Sequence, residues 1–125
     1  MEITLNHTIV PVHNNVESAK FYEALFGFQF VKEWGHFAVV KVNSTLTLDF
    51  LTKEAFSSTH YAFKVSEQQF DEIFDRIKTG NIKFGSTPNS QDDGKINNLY
   101  GGRGVYFKDP NGHVLEIITT DYIID

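Results

Sequence analysis

Apolar residues recur along this chain with two periods, one of strands and one of helices, and the alternation runs twice. Ile3 to Val12 alternates and is rich in β-branched residues, which predicts a strand. Asn14 and Asn15 are cap residues ahead of Val16, Ala19, Tyr22, Leu25 and Phe26 at helical spacing. Gly27 stands where a left-handed helix end belongs. Phe28–Trp34, Phe37–Val42 and Thr45–Leu51 read as three short strands, turned at Gly35-His36 and Asn43-Ser44. A second cycle opens near Thr59, with Tyr61, Phe63 and Val65 alternating in a strand. Ser66 and Gln69 form a capping box, and Phe70, Ile73, Phe74 and Ile77 give the plainest amphipathic helix, ending at Gly80. Asn81–Phe84 reads as a short strand and residues 85–104 as a loop. Gly104–Lys108 and His113–Thr119 then make a hairpin around Asp109-Pro110-Asn111-Gly112.

The order is strand, helix, three strands, and then the same again. This predicts an α+β protein, not a Rossmann alternation. Gly101-Gly102-Arg103-Gly104 leads into a strand, so it is no dinucleotide fingerprint. Sliding the chain on itself by 53 residues lays His7 on His60, Val12 on Val65, Phe21 on Phe74 and Gly27 on Gly80. These identities fall at matching structural points, which predicts two βαβββ modules, about 1–55 and 56–125, related by a pseudo-twofold within one domain.

The repeat also aligns polar residues inside apolar strands. His7 and His60 occupy the first strand of each module, and Asp49 and Glu116 the last. A half-buried carboxylate in an apolar strand is costly unless it is paired or metal-bound. Imidazole with carboxylate oxygen suits divalent Fe, Mn, Zn, Ni or Co. The plainer reading is that each His is an ordinary strand residue and that Asp49 points to solvent from an edge strand.

Composition narrows the classes. At 125 residues the chain is long enough for one real core. Twelve Phe and five Tyr predict an aromatic-rich interior. Without cysteine there is no disulfide, thiolate ligand, iron–sulfur cluster or Cys nucleophile. A formal charge of −5 without a basic cluster argues against a nucleic-acid or anionic-membrane partner. No apolar run approaches the roughly 20 residues of a membrane span, and no secretory signal is visible, so a cytoplasmic protein is expected.

His7 opening the first strand, the helix Glu17-Ser18-Ala19-Lys20-Phe21-Tyr22 and its exit through Leu25-Phe26-Gly27-Phe28 resemble the vicinal oxygen chelate superfamily. Val105-Tyr106-Phe107-Lys108-Asp109-Pro110-Asn111-Gly112-His113-Val114-Leu115-Glu116 is similar to that superfamily's C-terminal signature. The superfamily takes in glyoxalases, extradiol dioxygenases, fosfomycin-resistance transferases and metal-free bleomycin-binding proteins. The resemblance implies a curved mixed sheet that cups one divalent metal ion, Fe, Mn, Zn or Ni. His7, His60 and Glu116 match its two-His, one-carboxylate set, and Asp49 matches a fourth-ligand position, one methylene short of the Glu that glyoxalases carry there. In short relatives the site is commonly built across a homodimer, at a module or chain interface. Tyr106 matches a Tyr used near the substrate, able to donate a proton or a hydrogen bond. Tyr100 and Arg103 lie in the long loop, where Arg103 can meet a substrate carboxylate or phosphate.

The resemblance also separates reactions. Extradiol dioxygenases usually carry a further His before the Val-Tyr strand, where this chain has Ile96-Asn97-Asn98-Leu99. Fosfomycin transferases share a Thr-His-Tyr-Ala-Phe string, present as Thr59–Phe63, but use a Thr where this chain has Ile9. The expectation is a metal-dependent lyase, isomerase or oxygenase acting on a small substrate with adjacent oxygens. The alternative is a non-catalytic binding or sequestration protein of the bleomycin-resistance type.

Overall fold

The structure is a computed structural model and describes residues 2–124. It contains eight strands and two α-helices, and its contacts divide into two compact units between Ser57 and Ser58.

The first unit runs β1 (His7–Val12), α1 (Asn15–Phe26), β2 (Gln29–Trp34), β3 (Phe37–Lys41) and β4 (Thr47–Thr52). The sheet order is β1-β4-β3-β2, with β1 parallel to β4 and the other pairs antiparallel. Asn14 caps α1 by accepting from the Glu17 amide, and Gly27 ends it at φ 81°, a conformation that costs glycine nothing. Ala19, Tyr22 and Leu25 of α1 bury against Val10, Val40 and Phe50, with the Tyr22 and Phe50 rings 4.8 Å apart. One face of the sheet is thereby covered, and the alternate residues, His7 and Asp49 among them, stand on the other.

The second unit repeats the plan with β5 (His60–Lys64), α2 (Glu67–Thr79), β6 (Phe84–Gly85), β7 (Gly104–Lys108) and β8 (Val114–Ile118), in the order β5-β8-β7-β6. The expected α+β modules are therefore present, each with its own mixed four-stranded sheet. The capping box of Ser66 and Gln69 forms as expected. Gly80 follows α2 at φ −81°, and the left-handed turn is taken by Asn81 at φ 55°. That turn displaces the expected strand at Asn81–Phe84, leaving β6 only Phe84–Gly85. Phe70, Ile73 and Ile77 of α2 bury with Val105, Phe107, Leu115 and Ile117.

The hairpin between β7 and β8 explains its own sequence. Asp109 Oδ1 accepts from the amides of Asn111 (2.8 Å) and His113 (2.9 Å), and Gly112 takes φ 85°. His113 is fully buried, and its Nδ1 accepts from the Thr59 amide at 3.0 Å. The expected hairpin turn thus also fixes the start of β5, one residue ahead of His60.

Candidate metal and substrate site

In both modules the strand register sets a histidine diagonal to a carboxylate on one sheet face. His7 pairs with Thr47 and Ile9 with Asp49; His60 pairs with Val114 and Ala62 with Glu116. Such diagonal neighbours lie within reach of long side chains. In the second unit the diagonal is closed, with His60 Nε2 3.0 Å from Glu116 Oε1. In the first it is not. Asp49, one methylene shorter, accepts from Thr47 Oγ1 at 2.9 Å, and His7 Nδ1 lies 2.7 Å from Asn6 Oδ1. With Nδ1–H donating to Asn6 Oδ1, the His7 Nε2 lone pair is the one available to a ligand.

Tyr106 stands directly opposite Glu116 across β7 and β8. Its hydroxyl donates to the Glu116 carboxylate, and its ring lies 5.9 Å from that of His60. Burial, then the hydrogen bond to Glu116 and its charge, push the Tyr106 phenol up to about 12. Tyr106 therefore holds its proton at neutral pH.

Tyr106 and Glu116 line a pocket of about 260 Å³ together with Leu99, Tyr100, Ile118 and Tyr122. Its wall is aromatic, with the Tyr100 and Tyr122 rings 6.1 Å apart. Tyr122, four residues beyond β8, was not anticipated. Tyr100 adopts φ 59°, ψ 21°, a left-handed conformation rare for a bulky residue. The expected loop residue Arg103 turns elsewhere. Its Nε and Nη1 donate to Glu67 and Asp71, each at 2.8 Å, and its guanidinium lies 4.3 Å from the centre of the Phe70 ring. The side chain that promised to grip a substrate anion is committed to the first turns of α2.

The donor chemistry of His60 and Glu116 fits a divalent ion: one imidazole nitrogen and one carboxylate oxygen converge, and Tyr106 holds the carboxylate in place. Among the described residues no group of three or more His, Asp or Glu is gathered.

A family model described as the glyoxalase/bleomycin resistance protein/dioxygenase superfamily matches residues 4–117. The chain belongs to that superfamily. Among solved structures, oxidase ChaP-H2 superposes with a TM-score of 0.93 at 42% identity, covering 98% of this chain and 97% of that one. Oxidase ChaP-H1 follows at 0.90 and 40%, covering 96% and 98%. The metallothiol transferase FosB of Lysinibacillus sphaericus (strain C3-41) is 27% identical over 122 residues, 93% of this chain and 82% of that protein. Superfamily relatives thus carry two kinds of activity on one scaffold, so the activity must be argued from the site.

Proposed function

We propose that this superfamily member is a divalent-metal-dependent enzyme that oxidises a small, flat substrate bearing adjacent oxygens. The observation that carries the reading is the cluster of His60, Glu116 and Tyr106 at the edge of an aromatic pocket. The likeness to oxidases at 42% and 40% identity favours oxidation over the lyase, isomerase and transferase branches. His60 and Glu116 are the ligands of this reading and His7 of a second copy of the chain is the third, which makes the working form a homodimer. Asp49 is held back from this set by Thr47. A divalent ion held by these residues would supply an electrophilic centre for a substrate with two neighbouring oxygens.

The remaining work falls to the protein. Tyr106, protonated at neutral pH, gives its one O–H to Glu116 and so fixes the orientation of that carboxylate at the pocket. Tyr100 and Tyr122 offer aromatic faces against which a planar substrate stacks. Leu99 and Ile118 add apolar surface to the pocket's lining.

The test is elemental analysis of untagged, anaerobically purified protein beside His60→Ala, followed by oxygen uptake with catechols and hydroquinones. About one metal ion per chain, lost in the variant, with uptake that follows the metal, is the expected result. Protein that takes up no metal after reconstitution yet binds an aromatic ligand tightly would overturn this reading in favour of sequestration.

A further inference from the structure

The pocket beside Tyr106 is one-sided in charge. Glu116 brings a carboxylate, and among the described residues that line the pocket none is a lysine, an arginine or a histidine. Two cations come near in sequence or register, and both are engaged elsewhere. Arg103 is bound to Glu67 and Asp71 of α2. Lys64 stands opposite Ile118 in the register of β5 on β8, and its ammonium pairs with Asp121 Oδ1 at 3.2 Å. A carboxylate or phosphate entering the pocket would give up hydration and find no counter-charge in the lining. It would also meet aromatic faces, which carry partial negative charge.

The part of the wall that carries Tyr100 and Tyr122 is built from two segments fastened together. The Arg103 amide donates to Thr119 Oγ1 at 2.9 Å, and the Thr119 amide returns a bond to the Arg103 carbonyl at 3.0 Å. Thr120 Oγ1 donates to the Tyr100 carbonyl at 3.3 Å. At Gly102 the two segments approach so closely that a Cβ would lie 2.6 Å from Thr119 Oγ1 and 2.5 Å from Thr120 Oγ1. Within this wall Tyr100 holds φ 59°, ψ 21°. Left-handed backbone costs energy for a residue with a bulky side chain, and such outliers persist where the surroundings enforce them. The strain is spent at the one loop position whose ring faces Tyr122, 6.1 Å away between centres. At about 260 Å³ the pocket falls below the roughly 300–1,000 Å³ of sites for drug-sized ligands, so it suits a compact ring system.

We propose that Tyr100 and Tyr122 are specificity-determining residues that select an uncharged aromatic ring, and that this pocket discriminates against rings bearing a carboxylate or phosphate. The inference rests on the reading of the Tyr106 pocket as the substrate site, and it narrows the substrate class from flat molecules with adjacent oxygens to neutral ones.

Two catechols that differ in charge and hardly in shape, protocatechuate and its carboxamide, test it. Each is titrated anaerobically into the isotopically labelled full chain at pH 7 and low ionic strength, with Zn(II) and again with a chelator, and amide chemical shifts are followed. Saturable shifts at Tyr100, Ile118 and Tyr122 are expected, with the carboxamide bound at least fivefold more tightly than the acid in both conditions. Leu99→Lys, which places a cation in the lining, should narrow or reverse that preference. Tyr100→Gly relieves the left-handed strain, so its melting temperature should hold or rise while carboxamide affinity falls at least fivefold. Equal affinities, tighter binding of the acid, or shifts absent from those three residues overturn the proposal. So does a Tyr100→Gly variant that melts lower and binds the carboxamide unchanged, because the tyrosine then serves only the fold. The preference belongs to the chain's own side chains and is read without metal as well as with it. Metal uptake can therefore fail while the preference stands, and the preference can fail while His60 and Glu116 still hold metal.

Discussion

Arg103 illustrates how tertiary partners redirect a side chain. Its guanidinium satisfies Glu67 and Asp71 and covers Phe70, while only about a quarter of the side chain remains exposed, 27%. Its carboxylate partners are largely solvated, so each ion pair contributes less than about 1 kcal/mol, and stacking on the ring adds a comparable amount. Arg103→Gln should therefore lower stability by about 1–2 kcal/mol in urea at low salt, with a smaller loss in 1 M salt. Turnover, measured alongside, should stay within about twofold if the arginine serves α2, since a lost substrate contact of about 1.4 kcal/mol or more would cost tenfold. The chemistry of this residue was legible in the sequence. Its partners were not, because they lie 36 and 32 positions away. Tyr106 and Glu116 were legible as a pair of interest, because their signature is local and contiguous. That the phenol donates to the carboxylate follows only from the register of β7 on β8.

Among the elements, α1 and α2 could be read almost to the residue, since caps are short-range: Asn14 with Glu17, Ser66 with Gln69. β6 could not, because a two-residue strand exists only through its partner. The segment that follows it is stapled by Asp93, whose carboxyl is held below the usual aspartate range chiefly by the Ser86 hydroxyl. A depressed folded value means stabilisation present above the unfolded pKa and lost as pH falls through the folded one. Protection of the 86–94 amides from hydrogen exchange should accordingly decline in acid, and in Ser86→Ala that decline should begin at higher pH. The β7–β8 hairpin makes a second prediction at this scale. His113→Leu strips the Thr59 amide of its acceptor in a buried setting, a loss of about 1–3 kcal/mol. Urea melts should show that loss, and metal affinity should fall as well although no ligand has been touched, because β5 begins at His60.

For the molecule as a whole, the identical strand orders of the two units account for the weak 53-residue echo in the sequence: topology has persisted where most side chains have not. Metal binding at the proposed centre stabilises only the folded chain, so an ion at a hundred times its dissociation constant adds about 2.7 kcal/mol. The melting temperature should rise with Fe(II), Mn(II), Zn(II) or Ni(II), fall back with a chelator, and be insensitive to both in His60→Ala. The single closed diagonal has a further consequence. A doubled fold offers natural selection the same chemical position twice, so one copy can hold an inherited role while the other drifts. Asp49 beside Thr47 is one methylene short of the side chain that closes the matching diagonal at Glu116. A single codon change, Asp49→Glu, would therefore set on the first unit's diagonal the same pair of side chains that the second unit closes.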